Sequence, residues 1–229
     1  MPKIVNNTTF PNPLDLIAPH SCLGCGYMGS ILCNRCKKNI LTNRSDICPN
    51  CKDKTVNTKC KNCTNLPPIY IIGERQDLIG KLVHDYKYHS IHALAKPLSE
   101  LMGHILPTTD NPTTIVPLPT INKHIRTRGL DHTYLIAKHL AKIKSYKLER
   151  LIVRAKDTVQ VGANIKTRSR QASEAYIIKK NTSINPSVTY LLFDDVWTTG
   201  ASMQSAIKKL QQAGAEKIIV GILALSRIN

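Results

Sequence analysis

The sequence lacks a long apolar run. Its longest clear apolar segment, residues 218–225, is far shorter than the roughly 18 residues that a membrane-spanning helix needs. The opening residues, MPKIVNNTTFPNPLDL, contain no apolar stretch of the length typical of a signal peptide. We therefore expect a cytoplasmic protein without an integral membrane segment, and the inner face of the membrane is a second place where it can act.

Acidic and aromatic residues are also scarce. The 15 acidic residues are outnumbered by 32 lysines and arginines, which gives a formal net charge of +17. Such a field attracts polyanions, including nucleic acids, nucleotides and anionic membranes, although a solvated basic surface explains the charge equally well. Proteins that stack single-stranded bases rely on aromatic side chains, and only 5% of these residues are aromatic. Any contact with nucleic acid is therefore expected to involve the phosphate backbone.

Cysteine is absent after Cys63, so all eight cysteines lie in the first 63 residues. Pro67 and Pro68 follow shortly afterwards. Two successive prolines disfavour a helix and cannot donate hydrogen bonds to a sheet. The sequence therefore predicts two domains, a cysteine-rich head over residues 1–66 and a second domain over residues 67–229.

The cysteines form four C-x2-C pairs in two units, with seven residues between the pairs of the first unit and eight in the second. Each C-x2-C turn directs two thiolates at one ion, and two turns complete a tetrahedral site. Segments this small need such a site to fold, so we predict a double zinc ribbon with two structural Zn2+ ions. The predicted ligands are Cys22, Cys25, Cys33, Cys36, Cys48, Cys51, Cys60 and Cys63.

Other uses of these cysteines are less favoured. Disulfides do not persist in a reducing compartment, and a redox C-x2-C pair would accompany a thioredoxin-type βαβ pattern that is missing here. An iron–sulfur cluster is the remaining alternative. We expect consecutive pairs to share an ion, with a cross-braced arrangement as the alternative. Residues 24–29 match G-x-G-x-x-G, but they overlap a cysteine turn and follow no strand, so a dinucleotide site is rejected.

After residue 66, apolar segments of strand and helix type alternate along the chain. This alternation predicts an α/β domain with a parallel sheet and helices on both faces. Strands are expected at residues 69–72, 114–116, 151–153, 188–193 and 217–225, and helices at residues 78–86, 92–106, 130–143 and 203–210.

The clearest strand ends in two adjacent carboxylates, Asp194 and Asp195, before a loop and an amphipathic helix. In open α/β sheets, ligands bind beyond the carboxyl ends of strands. A glycine loop before a helix N-terminus offers N–H groups to phosphate, whereas the carboxylates suit sugar hydroxyls or Mg2+. The pattern therefore predicts a site for a phosphorylated ribose, and the alternative is an ordinary strand cap and turn. The loop residues are Thr198, Thr199, Gly200, Ala201 and Ser202.

Residues 191–202 resemble the phosphoribosyl-pyrophosphate-binding motif of type I phosphoribosyltransferases. Over residues 20–227 the chain resembles the ComF family of competence proteins, which carry such a domain behind a zinc-ribbon head. The matching segments are the C-x2-C head, residues 82–88, residues 115–119, Arg126-x-Arg128-Gly129, Gln160-Val-Gly162, Arg168-x-Arg170 and the Asp-Asp/Thr-Thr-Gly segment.

The resemblance implies a type I phosphoribosyltransferase-like parallel sheet flanked by helices and preceded by a small zinc-ribbon domain. It implies that Asp194 and Asp195 are the catalytic residues and hold the ribose hydroxyls, directly or through Mg2+. The loop after Asp195 would cradle the 5′-phosphate. Pyrophosphate would bind near Pro117, with Arg126 and Arg128 reaching it from a loop, although general surface charge explains these two arginines equally well.

Two segments depart from the family pattern. Asp131-His132 stands where ComF-like chains carry Asn-Gln, and residues 171–174 lack the usual Asn and Gly. The substitution of two amides by a carboxylate and an imidazole changes the hydrogen bonding at the first segment. The roles of both segments are therefore open.

The resemblance implies a protein that binds phosphoribosyl pyrophosphate with Mg2+ and acts in the cytoplasmic steps of DNA uptake during natural competence. Single-stranded DNA and other DNA-uptake proteins are its candidate partners. The alternative is a catalytically active phosphoribosyltransferase in nucleotide salvage, in which a nitrogen nucleophile displaces pyrophosphate at ribose C1.

Overall fold

The computed structural model describes residues 20–121, 125–127, 129–154 and 176–226. These residues form a five-stranded parallel sheet and a separate two-stranded antiparallel sheet. The strands are β1 (Ile69–Glu74), β2 (Thr113–Pro117), β3 (Lys147–Leu148), β4 (Ile152–Arg154), β5 (Tyr176–Ile178), β6 (Thr189–Trp197) and β7 (Lys217–Leu225). The helices are α1 (Asn34–Thr42), α2 (Leu78–Tyr88), α3 (Ala95–Ile105), α4 (His132–Lys144) and α5 (Ala201–Gln212), with a 3-10 turn at His92–Leu94.

Strand β6 lies in the middle of the main sheet, whose order is β1-β7-β6-β2-β3. Its first five residues are all buried. A parallel strand covered on both faces is apolar along its length, which explains the run from Tyr190 to Phe193. Pro117 at the end of β2 pairs with Phe193. The carboxyl ends of β2 and β6 therefore meet at one edge of the sheet.

Helices cover both faces of this sheet. One buried cluster contains Leu82 of α2, Leu98 of α3 and Ile136 of α4 together with Phe193. Leu210 of α5 belongs to a second cluster. Complete burial of a leucine or isoleucine side chain contributes about 1.5–3 kcal/mol, so the two cores hold the sheet edge in place. Among the described helices, none combines the length and apolarity required to traverse a bilayer.

The first cysteine unit packs directly on the α/β domain. Its helix α1 contributes Cys36 and Ile40 to the cluster that contains Leu98. The Lys37 ammonium also lies 2.6 Å from a carboxylate oxygen of Glu100 on α3. The first unit therefore shares a hydrophobic core with the domain that follows it, and the boundary near residue 66 stays a prediction.

The predicted parallel sheet with flanking helices, behind a small cysteine head, is confirmed. Residues 151–153 were predicted to be a strand of the parallel sheet, and this was wrong. The corresponding strand β4 pairs antiparallel with β5 outside the main sheet. The predicted helix 92–106 is divided into the 3-10 turn and α3. Pro97 lies in the first turn of α3, where a missing N–H removes no intrahelical bond. Strand β5 has only three residues, too few to show a periodic pattern.

Candidate functional site

The end of β6 carries both predicted carboxylates to the edge of the sheet. Phe193 is fully buried, Asp194 is half-buried, and Asp195 is buried. The backbone N–H of Asp195 donates to Oδ1 of Asp194 at 2.9 Å. This bond holds the Asp194 carboxylate beside its neighbour, so two negative groups lie together where the buried strand ends.

The loop that follows is open to solvent. Thr198, Thr199 and Ser202 are exposed, and the Thr199 hydroxyl accepts a hydrogen bond from the N–H of Ala201 at 3.4 Å. Helix α5 begins at Ala201, and the first N–H groups of a helix have no partner within the helix. The loop therefore offers hydroxyl and backbone donors to an anion in solution.

Gly200 shapes this loop. It lies in the left-handed region with φ of 77° and precedes the first residue of α5. A Cβ at this position would lie 2.4 Å from the ring of Trp197, so the buried indole packs directly against the glycine backbone. Among the described residues, the indole N–H of Trp197 has no acceptor. Both the backbone conformation and the close approach require glycine here.

A buried ion pair joins β6 to α2. The Lys87 ammonium lies 2.7 Å from Oδ1 of Asp195, and the side chains are only 16% and 9% exposed. The Thr133 hydroxyl on α4 donates to Oδ2 of the same carboxylate at 3.5 Å. The sequence indicated no role for Lys87, although this residue lies in segment 82–88, which carries part of the family resemblance. Its position four residues after the buried Val83 places it on the inner face of α2.

Among the described residues, Asp195 is paired with an ammonium group and Asp194 is not. Burial and the negative charge of Asp195 raise the pKa of Asp194 to about 8, because the positive charge of Lys87 offsets only part of this effect. At neutral pH this side chain is largely protonated. A cation placed between the carboxylates would remove its proton and restore charge balance.

A pocket of about 220 Å³ lies between α2 and the end of β6. Its lining includes Asp195 and Thr198 from the predicted site and the basic residues Arg75 and Lys87. The predicted loop therefore opens to a cavity that combines a carboxylate, a hydroxyl and two cations. The sequence did not indicate Arg75, because its position depends on how β1 lies beside β7.

A polar group from the smaller sheet supports the loop on its α5 side. The Tyr176 hydroxyl contacts the Ser202 side chain and accepts a hydrogen bond from Arg154 at 3.3 Å. Burial raises the pKa of Tyr176, so this phenol stays neutral. Strands β4 and β5 thus bring a hydroxyl and a guanidinium next to the loop, an arrangement that the sequence did not reveal.

The residues predicted to bind pyrophosphate are described only in part. Pro117 is buried at the end of β2, and the next N–H, from Leu118, donates to the carbonyl oxygen of Phe193 at 2.9 Å. The loop after β2 therefore starts beside the two carboxylates. Arg126 is exposed within the helical residues 125–127. Arg128 and the segments 160–162 and 168–174 lie outside the described residues.

The departure at Asp131-His132 has a structural explanation. Asp131 caps α4 by accepting the N–H of Tyr134 at 3.2 Å. It also accepts a hydrogen bond from Thr120 at 3.0 Å and pairs with Arg150 at 3.2 Å. The carboxylate therefore holds the end of the β2 loop to α4.

His132, the next residue, is buried within the domain. Its ring packs edge to face on Tyr86, with 4.7 Å between the ring centroids. The Tyr86 hydroxyl donates to the His132 carbonyl oxygen at 3.0 Å. This imidazole is part of the packing between α2 and α4.

The eight cysteines gather into two groups of four, as the sequential pairing predicted. Within each group the ligand atoms lie within 4.8 Å of one another. The sulfurs of Cys25 and Cys33 are 3.7 Å apart, and those of Cys51 and Cys60 are 3.3 Å apart. A disulfide needs about 2.05 Å, whereas thiolates about 2.3 Å from a shared tetrahedral Zn2+ lie at such separations. Both groups therefore fit structural zinc.

Each cysteine group contains a thiol that ionises readily. Burial opposes ionisation of Cys22, yet backbone N–H groups around its sulfur, led by that of Cys33, lower the pKa of this thiol to about 6. Burial likewise opposes ionisation of Cys60, and the Cys51 side chain lowers the pKa of Cys60 to about 7. Zinc binds thiolates, so each group offers a first ligand at neutral pH.

Two curated proteins are similar to this chain over most of its length. Competence protein F of Haemophilus influenzae is 25% identical over 207 residues, which cover 84% of this chain and 90% of that protein. Competence protein ComFC of Bacillus subtilis is 23% identical over 198 residues, which cover 80% of this chain and 79% of that protein. These two relatives confirm the resemblance to the ComF family. No family model matches the chain.

Solved structures with a similar chain path include two nucleotide-related enzymes. An allosteric regulatory enzyme of purine biosynthesis superposes with a TM-score of 0.43 and 14% identity, over 61% of this chain and 30% of that one. A hypoxanthine phosphoribosyltransferase of Staphylococcus aureus superposes with a TM-score of 0.37 and 14% identity, over 62% of this chain and 68% of that one.

Loss of the first zinc site should destabilise the α/β domain more than loss of the second. Cys33→Ser removes a ligand from the group whose helix α1 packs on the domain core. Cys60→Ser removes a ligand from the other group, which contacts α5 through an exposed hydrogen bond between Asn50 and Gln204. Because release of Ile40 from the core exposes a full apolar side chain, we expect an additional loss of about 2 kcal/mol for Cys33→Ser.

Urea unfolding followed by far-ultraviolet circular dichroism measures this difference, with zinc content determined for each variant. Both variants should contain about one zinc ion per chain, against two in the wild type. Equal unfolding midpoints would show that α1 does not couple the first site to the domain.

Asp194→Asn should stabilise the protein at alkaline pH. The folded-state pKa of Asp194 is raised from 3.8 to about 8, so stability from the protonated side chain is present below about pH 4 and is lost as pH rises to about 8. Asparagine has no charge to lose and keeps the Oδ1 acceptor. We expect a gain of at least about 1 kcal/mol at pH 8.5, roughly 2–4 °C in thermal midpoint for a chain of this size.

Thermal unfolding between pH 5 and pH 8.5 tests the sign, because the gain should shrink as the pH falls. Asp195→Asn is the matched control, since it leaves Lys87 buried without its carboxylate and should lower the midpoint across this range. An Asp194→Asn variant that is less stable than the wild type at pH 8.5 would contradict the account of the charge balance.

Proposed function

We propose that this chain binds phosphoribosyl pyrophosphate with Mg2+ at the end of β6 and acts in the uptake of single-stranded DNA during natural competence. The observation that carries the binding proposal is the position of Asp194 and Asp195 near the end of β6, two residues before an exposed loop that opens to a pocket. The competence role is supported by similarity to two competence proteins over at least 80% of the chain.

The carboxylates suit the sugar and its metal. Carboxylate oxygens are the ligands that Mg2+ prefers, and Mg2+ would supply the positive charge that neutralises the pyrophosphate. Lys87 already neutralises Asp195, whereas Asp194 has no cation of its own among the described residues and holds a proton at neutral pH. In the proposed complex Asp194 gives up its proton when it meets the cation, and Asp195 stays oriented by Lys87 and Thr133 toward the ribose hydroxyls.

The loop suits the 5′-phosphate. The hydroxyls of Thr198, Thr199 and Ser202 are exposed, and the N-terminal N–H groups of α5 attract anions. Gly200 gives the turn its left-handed backbone, and its missing Cβ leaves room for the Trp197 ring that supports the turn. A phosphate oxygen at this turn is also the kind of acceptor that the buried indole N–H of Trp197 lacks among the described residues.

A basic surface on α3 and α4 suits the phosphate backbone of a DNA strand. Burial lowers the pKa of His139. The positive charges of Lys142, Lys138 and Lys96 lower it further, against a smaller opposing effect of Glu100, so these three exposed lysines lie around His139. We propose this patch as the contact for single-stranded DNA, in a mode that reads charge and not base identity.

Calorimetric titration with phosphoribosyl pyrophosphate and Mg2+ tests the sugar-phosphate site. The wild type should bind in the micromolar range, and Asp194→Asn/Asp195→Asn should lose this binding because both groups that hold the sugar and metal are neutral. Omission of Mg2+ should weaken binding by the wild type.

The matched control is Asp46→Asn/Asp110→Asn, which makes the same two substitutions at exposed positions elsewhere. Circular dichroism establishes that each variant is folded. Equal binding by the wild type and the Asp194/Asp195 variant would remove the site assignment. Release of pyrophosphate that depends on an added base would indicate the salvage enzyme instead of a binding protein.

Replacement of Lys96, Lys138 and Lys142 by alanine should weaken binding to a single-stranded oligonucleotide. Each lost phosphate contact lowers the slope of log affinity against log salt by about 0.7, so three contacts should lower it by about 2. Fluorescence anisotropy over a salt series measures both quantities. The control replaces three exposed lysines on the α5 side of the domain, Lys179, Lys180 and Lys208.

The control carries the same change in net charge and should retain most of the affinity and the slope. An equal loss in both triple variants would show that general charge, and not the α3–α4 patch, attracts the DNA.

A further inference from the structure

A cluster of metal-ligating side chains lies at the end of α2, apart from the cysteines. Nδ1 of His89 is 3.0 Å from Oδ1 of Asp85, and Nδ1 of His84 is 3.7 Å from the same oxygen. One ligand atom from each of the three residues lies within 4.8 Å of the others. Two imidazoles and one carboxylate therefore lie close enough together to bind one ion.

The local backbone explains how residues at this spacing meet. Helix α2 ends at Tyr88, and His89 is its C-terminal cap, with its N–H bonded to the carbonyl oxygen of Asp85. Ser90 then adopts a left-handed conformation with φ of 55°. The His89 side chain therefore lies next to that of Asp85, which is one helical turn earlier in α2. The rings of His84 and His89 meet edge to face, with centroids 5.3 Å apart.

The spacing matches a tetrahedral metal. Ligands about 2.0–2.1 Å from a zinc ion lie roughly 3.3 Å from one another, and the two measured separations of 3.0 and 3.7 Å bracket that value. Imidazole nitrogen combined with one carboxylate is a donor set for zinc and other divalent transition metals, whereas Mg2+ prefers oxygen ligands alone.

We propose that His84, Asp85 and His89 form a third metal site, which binds one divalent transition-metal ion with zinc as its first candidate. The imidazoles are 52% and 61% exposed, whereas the Asp85 side chain is 11% exposed. Three protein ligands with an open side leave a coordination position for water or a ligand atom, as in zinc sites that are not purely structural.

An ion pair between Asp85 and His89 alone does not explain the position of His84. An Asp85–His89 pair at i,i+4 needs only one imidazole, yet the ring of His84 approaches the same carboxylate oxygen. His84 also lines the pocket that contains Lys87 and Asp195. The proposed metal therefore lies at the rim of that pocket, although the proposal does not depend on what the pocket binds.

The experiment uses the full chain with its cysteine sites already saturated with zinc. Calorimetric titration of this protein with further Zn2+ should show one additional ion per chain. His84→Ala and His89→Ala should each weaken this binding at least about tenfold, since loss even of an outer-shell partner costs about 10–100-fold in metal affinity. His104→Ala, at an exposed histidine in the last turn of α3, is the matched control and should bind as the wild type does.

Mg2+ in place of Zn2+ should give no binding that depends on His84 or His89. The proposal is overturned if the wild type takes up no zinc beyond its cysteine sites, or if both histidine variants bind as tightly as the wild type. It is also overturned if His104→Ala weakens the binding as much as they do. Circular dichroism of each exposed-histidine variant establishes that the fold is unchanged, so a loss of binding reports on the ligands.

Discussion

The buried ion pair between Lys87 and Asp195 is the interaction on which the rest of the site depends. Removal of two charges from water is stable only when each has a close partner, so α2 must lie firmly against the end of β6. Close backbone packing holds the first turn of α2 against the residue that follows β1, because a Cβ on Gly80 would lie 1.9 Å from the carbonyl oxygen of Arg75. The pocket between helix and strand follows from this contact.

With both carboxylates ionised, the site would be one positive charge short. Two carboxylates share one ammonium, so burial and Asp195 raise the pKa of Asp194. Carboxyl groups with strongly perturbed pKa values cluster at functional sites. The surplus carboxylate therefore makes a cation part of the proposed ligand, and the exposed hydroxyl loop beside it supplies donors for the anion that accompanies that cation.

Local features could be predicted from the sequence, and contacts between distant segments could not. The apolar run before Asp194 and the glycine after Thr199 indicated a strand, a loop and the start of a helix. The repeated C-x2-C spacing indicated both four-cysteine groups. The partnership of Lys87 with Asp195 depends on how α2 packs against β6. The His84 cluster was missed because His84 and Asp85 are adjacent in the sequence, and adjacent helix positions do not normally face each other.

The zinc-ribbon head and the basic patch depend on the same helix. Glu100 of α3 pairs with Lys37 of the head, and one turn earlier on α3 Lys96 contributes to the positive charge around His139. Because α1 also buries Cys36 in the core beneath α3, the first zinc site fixes the helix that presents this lysine. A DNA strand on the patch would therefore contact a surface whose geometry the head maintains, which gives the head a role in binding without any contact to the DNA.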